Sequence, residues 1–117
     1  AASTPETRGR VSARIVASLR PSAYVVNVSR SSVVDTAAVV AALRSGRLAG
    51  AMLDVFDTEP LPAESELWDV PNLVVSPHMS GDTAGYTGQI IDAFGDNIRR
   101  YRAGQALRNV IDVRRGY

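Results

Sequence analysis

The sequence predicts an α/β domain: one half of a doubly wound parallel sheet, followed by a long C-terminal helix. Three observations point there. Helical patterns alternate with short apolar runs. Those runs, "AYVVNVS", "LAGAMLDVF" and "NLVVSP", lack a clean period-two polarity, as strands covered on both faces do. Three strands make a small sheet, so several Val- and Leu-rich faces lack an obvious cover, and neither a repeat nor a low-complexity linker interrupts the pattern.

In chain order, "SARIVASLR" has apolar residues at helical spacing after Ser12, a candidate N-cap, and Pro21 stops the run. "AYVVNVS" is short and Val-rich and reads as a buried strand. Asp35 caps the Ala-rich helix "TAAVVAALRSG", which ends at Gly46 in the C′ position. "LAGAMLDVF" is the second strand, and "DTEPLP", with two prolines, is loop. "SELWDV" reads as a helical turn capped by Ser65, with Trp68 as a packing residue. "NLVVSP" is the third strand. Asp82 or Thr83 then caps a helix from about Ala84 to Arg102, whose stripe of Ile90, Ile91, Phe94, Ile98 and Tyr101 marks a core or interface face. The tail "LRNVIDVRRGY" adds a short extended piece.

Composition narrows the function. At 117 residues, 45% apolar, 21% charged and net charge +1, the chain suits one globular domain and gives no reason to expect nucleic acid or an anionic membrane as partner. No apolar stretch approaches the roughly 20 residues of a spanning helix. The absence of cysteine removes disulfides, thiolate metal sites and a Cys nucleophile, and is compatible with a reducing cytoplasm. A single histidine argues against zinc. The N-terminus has no apolar signal region and no Met, and opens in what reads as a loop, so the chain is expected to be part of something longer.

Ligands of parallel α/β sheets bind beyond the carboxyl ends of the strands. The first strand ends in "NVSRSS", with Asn27, Ser29 and Arg30. The second ends in "LDVFDTEP", with Asp54, Asp57 and Glu59, and the third in "SPHMSG", with the only histidine, His78. If the strands are parallel neighbours, a guanidinium, carboxylates and an imidazole converge. Arg offers a rigid fork for a carboxylate. An imidazole titrates near neutrality and can exchange a proton, and a carboxylate against one ring nitrogen orients it. Such a set can hold a small carboxylate-bearing molecule and move a proton at its carbonyl or hydroxyl. Plainer readings compete. A lone loop histidine is more often incidental than catalytic, Arg30 can pair with Asp35, Glu59 can be a solvated loop acid, and Asp54 can simply accept backbone N–H bonds.

The blocks "STPETRG", "NVSRSSVVD", "AALRSGRLAGAMLDVFDTEPLP", "LWDVPNLVVSPHMSGDT" and "LRNVID", in that order, resemble the NAD-binding domain of the D-isomer-specific 2-hydroxyacid dehydrogenases, a family that includes glyoxylate/hydroxypyruvate reductases and phosphoglycerate dehydrogenases. The resemblance implies a Rossmann-like fold, with residues 1–83 as the C-terminal part of the NAD(P)-binding domain and residues 84–117 returning toward a substrate domain. It implies Arg30 as the carboxylate-binding arginine, Glu59 as the acid paired with the catalytic histidine, and His78 as that histidine. By the same resemblance Thr4, Val28, Ser29, Arg30, Asp54, His78 and Gly81 face NAD or NADP, Asp54 meeting the nicotinamide carboxamide. It also implies a small 2-keto or 2-hydroxy acid substrate, a cytoplasmic homodimer, and no nucleic-acid or membrane partner.

Two departures stand out. Ser31 takes the place of a usual Gly, which raises the question of whether a left-handed backbone is needed there. The G-x-G-x-x-G turn is absent, so these residues alone are expected to bind NADH weakly or not at all. Two other readings stay open: a non-catalytic, nucleotide-sensing corepressor-like protein on the same fold, or an inactive truncated fragment.

Overall fold

The computed structural model describes residues 1–115, which form two compact units, Ala1–Ser80 and the residues from Gly81 onward. The first unit is built on three strands, β1 (Tyr24–Asn27), β2 (Gly50–Leu53) and β3 (Leu73–Val75). They pair in parallel in the order β1-β2-β3, with Val26 opposite Met52 and Met52 opposite Val74. The parallel sheet that the alternating pattern predicts is present, and its three carboxyl ends lie side by side.

Helix α1 (Ala13–Ser18) precedes β1. A 3₁₀ turn (Ser31–Val33) and helix α2 (Thr36–Arg44) connect β1 to β2, and a second 3₁₀ turn (Glu66–Asp69) lies between β2 and β3. Local chemistry sets the helix ends. The Asp35 carboxylate accepts the Ala38 N–H at 2.9 Å, satisfying one of the free donors of the first turn of α2. Gly46, at φ 69°, supplies the left-handed residue that closes α2. Ser65 caps its 3₁₀ turn by accepting from Leu67. Ser12 stands at the N-cap of α1 but makes no side-chain cap bond.

The core lies between the two helices and one face of the sheet. Val16 of α1 and Val39, Val40 and Leu43 of α2 cluster with Leu48, Ala51 and Val70, and Val25 and Leu73 pack against them. Val25, Ala51 and Leu73 are register partners, so they share this covered face. The opposite face is open: Tyr24, Val26 and Val74 are 73%, 61% and 60% exposed. Cover on both faces, as the apolar strands suggest, is therefore not found within this unit. Only the central strand is largely buried, and Leu53 is wholly so.

The second unit carries helix α3 (Tyr86–Arg102). The expected cap at Asp82 or Thr83 does not form. Gly85, at φ 83°, is the N-cap, and no side chain caps the helix. The residue before a helix must leave helical geometry, and a glycine does so here by turning left-handed. Ile90, Ile91, Phe94, Ile98 and Tyr101 are exposed along the helix. On its polar side Asp96 meets the Arg100 guanidinium at 3.0 Å, and Asn97 brackets the Arg108 backbone, donating to its C=O and accepting its N–H. These bonds fold the tail back along α3. Among its described residues the tail forms turns rather than the expected extended piece, and the end of that stretch, Gly116 and Tyr117, lies outside the described residues.

Candidate functional site

Three turns beyond the strand ends build the site. The β1 turn is organised by Asn27, which is 3% exposed. Its Oδ1 accepts the Ser29 N–H at 3.1 Å and the Ser29 hydroxyl at 3.0 Å, and its Nδ2 donates to the Arg30 C=O at 3.0 Å. Arg30 is exposed, and its Nη1 donates to the Ser29 C=O at 2.7 Å. Val28 is also exposed. Ser31 opens a 3₁₀ turn and is not among the residues of positive φ, so the position needs no glycine and the serine carries no left-handed strain.

Glu59 follows β2 in the loop that the prolines mark. Its Oε1 accepts the Phe56 N–H at 2.8 Å, and its Oε2 lies 2.7 Å from His78 Nδ1. The carboxylate is thus fixed on one side by its own loop and on the other by the ring. The His78 hydrogen bond, then the Phe56 amide, with the nearby charges of His78 and Arg30, hold the Glu59 carboxyl below its ordinary range. Glu59 and His78, which follow β2 and β3, are therefore in contact, and Arg30 follows the neighbouring strand β1 at the same end of the sheet.

His78 sits at φ 54°, a left-handed conformation rare outside glycine. Its N–H donates to the Ser76 C=O at 3.0 Å, and Ser76 is in turn held by the Leu53 C=O. On the far side of His78, Asp54 Oδ1 accepts the Met79 N–H at 3.0 Å and Oδ2 the Ser80 N–H at 2.9 Å. Asp54 is wholly buried. The Ser76 hydroxyl first, and then the Ser80 and Met79 groups, hold its carboxyl far below the ordinary range despite that burial.

An open cleft of about 670 Å³ adjoins the pair, with Glu59 and His78 in its wall beside Phe56, Leu61, Trp68 and Ser76. Trp68 is half-exposed and pinned by its indole N–H to the Pro62 C=O at 2.8 Å. Its sequence context suggests a packing residue, yet it lines the cleft. Thr4 is buried in the N-terminal loop, where its backbone and hydroxyl bond Thr7. Ser3 and Gly9 tie that loop to Ser32, next to the Arg30 turn. Gly81 opens the second unit and is exposed. Among the described residues no group of three or more His, Asp or Glu is placed to hold a metal ion.

Residues 1–80, the first unit, match the family model of the D-isomer specific 2-hydroxyacid dehydrogenase, NAD binding domain. The chain belongs to this family. It is 39% identical over 114 residues to the glyoxylate/hydroxypyruvate reductase A of Salmonella paratyphi B, a match that covers 97% of this chain and 36% of the relative. The chain thus spans about a third of the length of the curated relatives it matches. Among solved structures, a D-isomer specific 2-hydroxyacid dehydrogenase from Xanthobacter autotrophicus Py2, in complex with NADPH and MES, superposes with a TM-score of 0.84 at 47% identity, over 98% of this chain and 47% of that one. The NADPH-dependent glyoxylate/hydroxypyruvate reductase of Sinorhizobium meliloti, in complex with NADP and sulfate, does so with a TM-score of 0.86 at 34% identity, over 98% of this chain and 37% of that one. The family's Rossmann-like α/β fold, with its long C-terminal helix, is the fold of this chain.

Asn27 is the contributor that sequence reasoning underrates. It stands in the "NVSR" block, but nothing in the sequence tells a buried turn-organiser from a strand-end amide. The conformation of His78 is equally hidden, because the turn signals around it, Pro77 and Gly81, flank the residue that actually turns left-handed.

Proposed function

We propose that this chain supplies the proton-transfer and carboxylate-binding side of an NAD(P)-dependent oxidoreductase that interconverts a small 2-keto acid and the corresponding 2-hydroxy acid, working with residues outside these 117. The observation that carries the reading is the 2.7 Å contact between His78 Nδ1 and Glu59 Oε2 in the wall of an open cleft. With Nδ1 engaged by the carboxylate, Nε2 is the nitrogen left to face a substrate. Glu59 orients the ring, and His78 gives its proton to the keto oxygen on reduction and takes it back on oxidation. Arg30 binds the substrate carboxylate through its fork and draws charge from the carbonyl.

A reduced nicotinamide, when bound, supplies the hydride. By family resemblance Thr4 and the Val28–Arg30 turn would hold its nicotinamide end, while no Gly-rich turn for its pyrophosphate exists in this sequence. Gly81 and Asp54 join this set by family resemblance. The NADPH and NADP complexes of the solved relatives support the phosphorylated nucleotide as the partner, and the family's description as an NAD binding domain supports NAD. The homodimer we propose is supported by the exposed apolar stripe of α3, a surface of the kind subunit contacts bury. The proposed cytoplasmic location rests on the family. No helix among the described residues is long and apolar enough to cross a membrane.

NADPH oxidation by the whole protein with glyoxylate or hydroxypyruvate tests the reading. His78→Ala is expected to lower kcat by about 10²–10⁴-fold, the usual effect of losing a general acid. Arg30→Lys is expected to raise KM for the keto acid, since an ammonium cannot reproduce the fork. Wild-type turnover in the first variant, or unchanged constants in the second, refutes the assigned roles.

A further inference from the structure

We infer that Asp54 is a positioning residue for His78: it clamps the two amides that follow the histidine, and so holds the ring against Glu59. This rests on the reading of His78 as the proton donor. The loop is bracketed by two consecutive residues at the end of β2. The Leu53 C=O takes the Ser76 N–H on the way in, and the Asp54 carboxylate takes the Met79 and Ser80 N–H groups on the way out. Between these fixed points His78 adopts φ 54°. A non-glycine residue keeps such a conformation only where its surroundings over-determine it. The wholly buried carboxylate provides that constraint, each oxygen receiving one backbone donor. Released from the clamp, residue 78 relaxes toward negative φ, and a rotation there swings the imidazole away from Glu59. Asp54 thus acts on His78 through the backbone, and its place one residue beyond the central strand makes it part of the rigid scaffold.

Asp54→Asn is the test. The amide keeps the shape, but its NH₂ faces an N–H donor, so one of the two clamping bonds is lost. In the whole protein we expect kcat to fall by about 10–10²-fold, the scale set by small misplacements of a catalytic group. The primary isotope effect with NADPH deuterated at the transferred hydrogen is expected to rise, because the chemical step becomes more limiting. Partial unfolding would lower the amplitude without moving the isotope effect. An unchanged isotope effect, whatever the NADPH affinity, would overturn the inference.

A second readout needs no activity. His78 is the only histidine of this chain, so the two ring nitrogens of the 117-residue chain can be followed by ¹H–¹⁵N spectroscopy without ambiguity. We expect a hydrogen-bonded Nδ1–H in the wild type and its loss in Asp54→Asn, together with faster exchange of the Met79 and Ser80 amides. A ring signal identical in both proteins overturns the inference even if the dehydrogenase reading stands. An inactive wild type with the expected ring signals refutes that reading and leaves the clamp intact. Should Asp54→Asn fail to fold, Ser76→Ala, which removes the hydroxyl that most favours the charged form of the same carboxyl, is expected to move the ring signal in the same direction by less, and an unmoved signal there counts against the clamp.

Discussion

Removing the Asn27 side chain should loosen the Arg30 turn and destabilise the first unit together. Asn27→Ala deletes the two bonds from Ser29 and the one to the Arg30 C=O, all between 3.0 and 3.1 Å. A typical intramolecular hydrogen bond contributes about 0.5–1.5 kcal/mol net. Ser29 and the Arg30 carbonyl lie near solvent and regain water, so the lower half of that range applies to each, and the loss should be about 2 kcal/mol. Urea denaturation of the 117-residue chain at neutral pH reads this as a lower midpoint with the slope unchanged. Asn27→Asp separates the contributions. A carboxylate still accepts from Ser29 but cannot donate to the Arg30 C=O, so its loss should be smaller. In the whole protein the KM for the keto acid should rise in both variants, because the guanidinium no longer stands on a fixed turn. A change below about 0.5 kcal/mol in Asn27→Ala, with KM unaltered, would refute the role given to this amide.

Two further outcomes follow from the same geometry. His78→Gly removes a side chain from a left-handed position, where a non-glycine residue is strained by roughly 1–2 kcal/mol. Both His78→Gly and His78→Ala lose the contact with Glu59 and most of the turnover, but only the glycine escapes the strain, so His78→Gly should melt higher than His78→Ala, and an equal or lower melting temperature would show that the strain is absent. The acid side of the stability profile has a defined sign. Asp54 and Glu59 both titrate below their ordinary values of 3.8 and 4.5 in the fold, so the unfolded chain binds more protons in that window. Their contribution is full above about pH 5 and is lost as pH falls through 4.5 and 3.8 toward the lowered folded values. Denaturation midpoints that stay flat from neutrality to about pH 3 would contradict this.

What the sequence reveals and what it hides divide along physical lines. Signals that depend on one residue's own chemistry are legible. Asp35 caps α2 because its carboxylate reaches an amide three residues on, and Gly46 ends α2 because only a left-handed residue fits there. The parallel order of three strands is legible for the same reason, since helices between apolar runs allow little else. Features decided by contacts between distant segments are not. Asp82 and Thr83 have the chemistry of a cap, yet the chain turns at Gly85 instead. His78 is left-handed because Asp54, 25 residues before Met79, grips the amides beyond it. The open face at Tyr24, Val26 and Val74 shows the limit of hydrophobic patterning, because the same apolar run serves a face covered by this unit and one that is not.

The most direct test is a crystal structure of the whole protein with NADPH and an unreactive 2-keto acid analogue such as oxamate. The account predicts the analogue's carboxylate on the Arg30 fork, its carbonyl oxygen within about 2.6–3.2 Å of His78 Nε2, and Glu59 still on Nδ1. An analogue bound elsewhere, or an imidazole turned away from both the carbonyl and Glu59, would contradict it.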